Sequence, residues 1–366
     1  MLKEDLQLRG ELKWAENGYK GTLAYCTGAG KSKIGVNIVA ANPSWKNIYL
    51  VVPTEKLRDE NWKDEFHKWK HLKEYNRIKR ICYASLSKVK DEEIDLVIFD
   101  EFHNITENNS SFLENNKVHR ILGLTATPPD DEVKKQLFKT YAPIVDTYTI
   151  DEGVKHGLIA PYEITVIECR LDDTDKYVKA GSKDKPFYTT EQKHYEYLSK
   201  QVIMLQYSGK KDVVKWKLLE RMRFIYNLKS KQDVAKKVIE KYIKDTRSLI
   251  FCGSIKQADE LCEHRFHSKT GDKDLNNLVK GKINQLSSVE CLNEGINIPN
   301  LETCLIVQLN SKQKDAVQRI GRLLRLRDGH LAKIYILVTI NTVDENWARK
   351  ALEGFNNVKY VNYRNI

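Results

Sequence analysis

The chain has 366 residues, of which 41% are hydrophobic and 30% charged, so it is too long for one ordinary core and predicts two globular domains. No apolar run approaches the roughly 20 residues that cross a bilayer, and the start of the chain lacks a signal-peptide core, so we expect a cytoplasmic protein with no membrane partner. The net charge of +11 favours a polyanionic partner without identifying it.

The first part of the chain alternates short apolar runs with helical or polar stretches. An amphipathic helix is predicted within residues 1–20, with Leu8, Leu12 and Ala15 on its apolar face. Runs that are apolar on both faces indicate a mostly parallel sheet with helices on both faces, which binds ligands beyond the carboxyl ends of its strands. The predicted strands are 21–26, 46–52, 80–84, 95–99 and 120–124.

The pattern repeats in the second half and predicts a second domain of the same α/β class. We place the domains at 1–148 and 149–366. Between the two series, the Lys-, Tyr- and Gln-rich stretch 172–245 has helical periodicity and is predicted to be a helical insert or linker, opened by a solvent loop at 181–186. The strands of the second domain are predicted at 162–169, 248–252, 282–286, 303–309 and 334–339.

A glycine-rich turn follows the first predicted strand and enters a helix. Such a turn directs backbone N–H groups at a polyphosphate, while its lysine reaches the outer phosphates and its serine hydroxyl can ligate Mg²⁺. The usual pattern G-x-x-x-x-G-K-[ST] requires Gly where this chain has Tyr25, and we expect that ring to crowd the loop. A glycine-rich turn without a ligand is the alternative. The candidate ligand-binding residues are Thr27, Gly28, Ala29, Gly30, Lys31 and Ser32.

Two adjacent carboxylates, Asp100 and Glu101, follow the fourth predicted strand, with His103 two residues later. Together with a phosphate loop they supply the parts for Mg²⁺-assisted phosphoryl transfer. Asp100 would hold Mg²⁺ and Glu101 would polarise the attacking water. Taken alone, these residues would be only a charged strand terminus.

Three further stretches carry polar residues that suit the same chemistry. The fifth strand ends in 123–129, whose threonines can connect the carboxylates to a neighbouring domain by hydrogen bonds. The second domain supplies Gly295 and Asn297, and then a basic stretch with Gln318, Arg322 and Arg325 at i, i+4 and i+7. Guanidinium groups aimed at a transferring phosphoryl group neutralise its charge, although an exposed basic helix face is the ordinary alternative.

In this order the motifs resemble those of the superfamily-two helicases of the DExH type, nearer the type III restriction and transcription-repair translocases than the DEAD-box group. The resemblance covers nearly the whole chain. Its motifs are CTGAGKS, VVPT, DEFH, TATP, EGINIP and QRIGRLLR.

The resemblance implies two RecA-like domains with ATP in a cleft between them and a nucleic-acid strand across both. Lys31 and Ser32 would then bind phosphate and Mg²⁺, His103 and Gln318 would couple hydrolysis to domain movement, and Arg322 and Arg325 would be arginine fingers. The chain departs from the family pattern at Tyr25, at Asn297, where relatives commonly carry Asp, and in its adenine-reading glutamine, for which Gln7 is the only nearby candidate. The matching nucleic-acid positions are Pro53, Thr54, Ser85, Ser254 and Thr270.

The sequence therefore predicts a monomeric, ATP- and Mg²⁺-dependent motor on single-stranded or forked nucleic acid, with DNA preferred. An RNA helicase is the alternative within the same class. The alternative from another class is a nucleic-acid-binding scaffold whose domains are clamped by ATP without productive turnover. Tyr25 and Asn297, which depart from the family pattern, are the reason for considering this alternative.

Overall fold

The structure is a computed structural model that describes residues 2–182, 184–207, 211–289, 298–309 and 331–366. The described residues divide into two compact units at Pro161/Tyr162. The predicted boundary after residue 148 coincides with the end of a strand, and the helix and turn that follow this strand group with the first unit. Each unit is built on its own parallel sheet, and the predicted α/β class is confirmed.

In the first unit, six of the described strands form an all-parallel sheet in the order β3-β2-β5-β7-β1-β8. All five predicted strands are present to within a few residues, and the edge strand β8 was not predicted. The strands are β1 (Lys20–Tyr25), β2 (Ile48–Val52), β3 (Lys79–Cys82), β4 (Glu93–Ile94), β5 (Leu96–Asp100), β6 (Lys117–Val118), β7 (Ile121–Thr125) and β8 (Ile144–Tyr148), of which β4 and β6 form a separate short pair. The helices are α1 (Lys3–Glu16), α2 (Lys31–Ala41), α3 (Trp62–Lys68), α4 (Leu72–Asn76), α5 (Glu107–Glu114), α6 (Glu132–Tyr141) and α7 (Ile150–Lys155), with shorter helical turns at Leu57–Asn61, Tyr83–Lys88 and Phe102–Asn104.

Helix α1 packs on the sheet with a different face from the one predicted. Leu8 and Leu12 are 56% and 54% exposed, whereas the buried residues are Leu6, Gln7, Gly10 and Trp14. The prediction was wrong because it ranked side chains by hydropathy alone. At Gly10 an added Cβ would lie 2.7 Å from the phenolic oxygen of Tyr25, so the helix backbone itself approaches the sheet there.

In the second unit, seven of the strands within the described ranges form another all-parallel sheet, in the order β13-β14-β12-β15-β16-β9-β17. Helices on it bury a continuous apolar core. Its strands are β9 (Tyr162–Cys169), β12 (Ser248–Phe251), β13 (Arg265–Phe266), β14 (Gln285–Ser288), β15 (Thr303–Ile306), β16 (Ala332–Thr339) and β17 (Val358–Asn362). The helices are α8 (Glu191–Gln206), α9 (Lys211–Tyr226), α10 (Lys229–Val238), α11 (Ile255–Leu261), α12 (Lys273–Val279) and α13 (Val343–Ala351), with short turns at Ile239–Ile243 and Tyr363–Asn365.

The predicted helical insert 172–245 differs from the structure at both ends. It opens with an antiparallel hairpin of β10 (Val178–Gly181) and β11 (Pro186–Thr189), and the first and last residues of the predicted solvent loop belong to these two strands. At the other end, α10 lies in the core of the second unit. There the buried ammonium of Lys231 donates to Asp344 at 2.6 Å and to Gln308 at 2.9 Å. The part of the insert outside the parallel sheet and its core is therefore the hairpin with α8 and α9.

Among the helices that the structure describes, none is both long and apolar enough to cross a membrane.

Candidate active site

The glycine-rich loop lies at the carboxyl end of β1 and leads directly into α2. Gly28 and Gly30 have φ angles of +91° and +88°, in the left-handed region that glycine adopts without strain. A Cβ on Gly30 would also lie 2.4 Å from Nε2 of Gln7. The positive φ angle therefore favours glycine at position 30, and a side chain there would also displace the Gln7 amide.

Lys31 and Ser32 form the first turn of α2, where partial positive charge favours an anion. The Lys31 ammonium donates to the backbone carbonyls of Tyr25 at 2.8 Å and Cys26 at 3.3 Å. It is thereby held at the loop, and an arriving phosphate would exchange for these carbonyl contacts.

Tyr25 does not crowd the loop, and the structure contradicts that expectation. Its ring is fully buried and points to α1 and β8. The phenol donates to Asp146 at 2.6 Å, and Asp146 also accepts from two guanidinium nitrogens of Arg9 at 2.8 and 3.2 Å. Burial, together with the Asp146 carboxylate, raises the pKa of Tyr25. The departure from the loop pattern is therefore accommodated between β1, α1 and β8, where the ring is buried.

Gln7 lies on the buried face of α1, and its amide is next to Gly30. The side chain proposed to read adenine is thus beside the phosphate loop. Its role in base recognition stays a prediction.

Asp100 ends β5 as a buried carboxylate with two different hydrogen-bond donors. Oδ1 accepts from the backbone N–H of Glu101 at 3.1 Å, and Oδ2 accepts from the indole Nε1 of Trp62 at 2.8 Å. Burial raises the pKa of Asp100, while the Trp62 hydrogen bond and the positive charge of Lys31 act in the opposite direction. β1, which leads into the loop, and β5, which ends in Asp100, belong to the same parallel sheet.

Glu101 has a φ angle of +52°, a left-handed conformation that costs a non-glycine residue of order 1–3 kcal/mol. This conformation turns the chain out of the strand, so the side chains of Asp100 and Glu101 diverge. The Tyr83 hydroxyl lies 3.0 Å from the carbonyl oxygen of Asp100 and 3.2 Å from that of Glu101, and the Asn104 amide donates to the latter at 3.2 Å. These contacts stabilise the turn.

His103 connects the carboxylates to the threonines at the end of β7. Its Nδ1 lies 2.9 Å from Oγ1 of Thr125, 3.1 Å from Oγ1 of Thr127 and 3.3 Å from a carboxylate oxygen of Glu101. The predicted hydroxyl residues therefore reach the carboxylate site through His103 within the first unit.

Sequence reasoning missed Trp62 and Tyr83, which both contact the Asp100–Glu101 turn. They belong to the segments that follow β2 and β3, which lie on one side of β5 in the sheet. Because parallel strands bring their carboxyl ends to one edge, aromatic residues just beyond β2 and β3 could have been considered as neighbours of Asp100. Their particular hydrogen bonds could not have been foreseen.

The candidate nucleic-acid residues lie at the carboxyl ends of strands or on helices that follow them. In the first unit, Pro53 and Thr54 follow β2, and Ser85 lies in the turn after β3. In the second unit, the hydroxyl of Ser254 caps α11 by accepting from the backbone N–H of Gln257 at 3.3 Å. Thr270 Oγ1 accepts from the backbone N–H of His267 at 2.9 Å. Both of these hydroxyls have structural roles. Contact with a nucleic-acid strand stays a prediction for all five residues.

The remaining predicted residues, Gly295, Asn297, Gln318, Arg322 and Arg325, lie outside the described residues.

The side chains at the first-unit site suit Mg²⁺ and a nucleoside triphosphate. Mg²⁺ prefers oxygen ligands and is commonly held by one or two protein groups plus substrate phosphates. The Ser32 hydroxyl and the Asp100 carboxylate are such ligands, and Lys31 supplies the cation for the phosphates. Because Gly28 and Gly30 have no side chains, a phosphate can approach the loop backbone closely.

Two family models match the chain, one in each unit. The type III restriction enzyme, res subunit, matches residues 71–130, and the helicase conserved C-terminal domain matches residues 230–327. A curated relative, the DNA 3'-5' translocase XPB2 of Sulfurisphaera tokodaii, is 23% identical over 96% of this chain and 86% of its own length.

Solved structures share the fold at low sequence identity. The type ISP restriction-modification enzyme LlaBIII bound to DNA is 13% identical with a TM-score of 0.63 over 99% of this chain, which spans only 31% of that protein. The helicase domain of Pyrococcus furiosus Hef is 14% identical with a TM-score of 0.56, over 96% of this chain and 100% of that domain. The predicted pair of RecA-like domains is confirmed.

Proposed function

We infer that the chain is a superfamily-two helicase, because family models match residues in both units. It is a nucleic-acid-dependent ATPase that acts as an ATP-dependent DNA translocase or helicase. The finer proposals are a single-stranded or forked DNA substrate, a monomeric motor and a cytoplasmic location.

The proposed chemistry rests on one observation. The phosphate loop follows β1 and the carboxylates follow β5, and both strands belong to the same parallel sheet. Binding and hydrolytic groups are thereby brought to one strand edge, where α/β sheets bind their ligands.

The residues divide the reaction between them. Lys31 and the loop N–H groups bind the phosphates of ATP, and Ser32 with Asp100 holds Mg²⁺, which when bound neutralises charge on the phosphate oxygens. Glu101 accepts a proton from the attacking water, and His103 keeps Glu101 connected to Thr125 and Thr127. Gly295 and Asn297 are proposed nucleotide contacts, Gln318 couples hydrolysis to movement, and Arg322 and Arg325 neutralise charge on the transferring phosphoryl group.

The preference for DNA rests on the relative XPB2, described as a DNA translocase. The test is phosphate release with single-stranded DNA, forked DNA, RNA or no polymer. We expect DNA to give the largest stimulation. Single-strand affinity should also fall with salt at a slope of about −0.7 per phosphate contacted.

Stimulation by RNA alone would favour the RNA helicase. Tight DNA binding with no turnover under any condition would favour the clamped scaffold. Turnover that ignores every polymer would contradict a nucleic-acid motor.

The insert is proposed to make an additional contact with the nucleic-acid strand. Helices α8 and α9 are joined at their base by a buried cluster, Leu171, Tyr195, Ile225 and Leu228. α8 and the residue after it present an exposed stripe at i, i+4, i+7, i+11 and i+14, which combines two cations with two aromatic side chains and a flexible apolar one: Lys193, Tyr197, Lys200, Met204 and Tyr207. Tyr197 is 53% exposed and Tyr207 is 89% exposed. Aromatic rings between cations suit bases stacked along a phosphate backbone.

Replacing Tyr197 and Tyr207 together by alanine is expected to weaken single-strand binding, because each stacked ring contributes roughly 1–3 kcal/mol. Hydrolysis at saturating DNA should remain. The measurement is DNA affinity and stimulated turnover on the same preparation. Tyr360→Ala is the control, since Tyr360 is similarly exposed, at 60%, but lies on the edge strand β17. Equal losses in control and variant, or unchanged affinity in both, would assign the stripe another role.

A further inference from the structure

A buried indole directly contacts the carboxylate proposed to hold Mg²⁺. Trp62 begins α3 and is 2% exposed, and its Nε1 donates to Oδ2 of Asp100 at 2.8 Å. The indole has only this one polar atom and can only donate. The hydrogen bond therefore has a fixed direction and favours the carboxylate in its ionised, metal-binding form.

Packing holds the Trp62 ring against elements on both sides of the site. A Cβ on Gly35, in α2, would lie 3.0 Å from Cη2 of the ring and 3.6 Å from Cδ1 of Ile98 in β5. Phe66, one turn along α3, packs on the ring with centroids 6.2 Å apart. The indole therefore contacts both the helix that begins at the phosphate loop and the carboxylate at the end of β5.

The two carboxylate oxygens of Asp100 therefore accept hydrogen bonds from different donors. Oδ2 accepts from Trp62, and Oδ1 accepts from the backbone of Glu101. Each carboxylate oxygen can accept a second hydrogen bond or bind a metal-bound water, so these donors orient the group without saturating it.

We propose that Trp62 is a positioning residue for Mg²⁺–nucleotide binding: its indole N–H fixes the orientation in which Asp100 receives the ion. This inference rests on the proposed function, because it takes Asp100 as the Mg²⁺ ligand. Groups that orient a metal ligand commonly affect metal affinity by roughly 10–100-fold when they are removed.

The test is Trp62→Phe, which keeps an aromatic ring and removes the N–H. Its control is Trp14→Phe. Trp14 is also buried in the first unit, and its Nε1 donates at 2.8 Å to a backbone carbonyl, that of Ile121. Both variants lose a buried indole hydrogen bond of the same length, but only one of these bonds goes to Asp100.

Calorimetric titration of ADP with and without Mg²⁺ is expected to show that Trp62→Phe loses Mg²⁺-dependent affinity by roughly tenfold, while Mg²⁺-free affinity is kept. Trp14→Phe should keep both values. Equal Mg²⁺ dependence in the two variants would overturn the proposal and leave Trp62 a packing residue.

A second measurement needs no variant and therefore does not depend on the folding of Trp62→Phe. In the unaltered chain, the indole N–H resonance of Trp62 should shift when Mg²⁺ is added to the ADP-bound protein, and that of Trp14 should not. No selective shift at Trp62 would also overturn the proposal. Neither measurement involves hydrolysis, so an absence of DNA-stimulated turnover would count against the proposed function and not against the role of Trp62.

Discussion

Glu101→Gln is expected to retain ATP and DNA binding while turnover falls by roughly 10²–10⁴-fold, the usual contribution of a positioned general base. The amide has nearly the same size and can still orient water, but it is a very weak proton acceptor. Both residues would adopt the same left-handed backbone, with φ at +52°, so the comparison isolates the carboxylate. The measurement is nucleotide binding and DNA-stimulated phosphate release on one preparation.

Glu92→Gln is a matched control near the amino ends of β2 and β3, whereas Glu101 follows the carboxyl end of β5 in the same sheet. Glu92 accepts hydrogen bonds from Asn47, before β2, and from Lys79, at the start of β3. Its amide variant should lose some stability and keep its turnover. A Glu101→Gln protein that hydrolyses ATP like the parent would show that DEFH is only a strand terminus.

Lys31→Ala is expected to weaken ATP binding by about ten- to a hundredfold, since a hydrogen bond to a charged group contributes roughly 1.5–3 kcal/mol. Turnover at low ATP should fall by at least as much. The affinity for ATP and for AMP should be measured in parallel, because lysine is proposed to reach the outer phosphates and AMP lacks them.

Lys33→Ala supplies the matched control two residues along the same helix. The Lys33 ammonium lies 3.3 Å from the ring centroid of Trp69, away from the loop carbonyls that Lys31 contacts. Its loss should leave ATP affinity nearly unchanged. If Lys31→Ala and Lys33→Ala behaved alike, or if AMP lost as much affinity as ATP, Lys31 would not be the phosphate ligand.

Periodicity predicted the sheet strands well because strands buried on both faces read as continuous apolar runs, such as 48–52 and 96–99. It missed β8, where Asp146 and Thr147 interrupt the run, and Asp146 is in fact needed to bind Arg9 and Tyr25. Edge strands carry less hydrophobic pattern because only part of their surface is buried.

Sequence reasoning predicted those parts of the site that consist of residues adjacent in the chain. The loop glycines and the Asp100–Glu101 pair are each contiguous in sequence, and their backbone geometry follows from residue type and strand position. The hydrogen bond from Trp62 to Asp100 joins residues 38 apart and depends on how α3 packs against α2. Such contacts are set by tertiary packing, which periodicity does not report.

The buried ring of Tyr25 also bears on any attempt to make this loop conform to its pattern. Replacing Tyr25 by the consensus glycine would open a cavity beneath α1, and truncating a buried aromatic residue destabilises a protein by roughly 3–5 kcal/mol. The glycine would also loosen the strand and remove one of the donors to Asp146. Consensus repair at this position would therefore weaken the domain while leaving the loop no better formed, and pattern searches that insist on the first glycine will pass over chains built in this way.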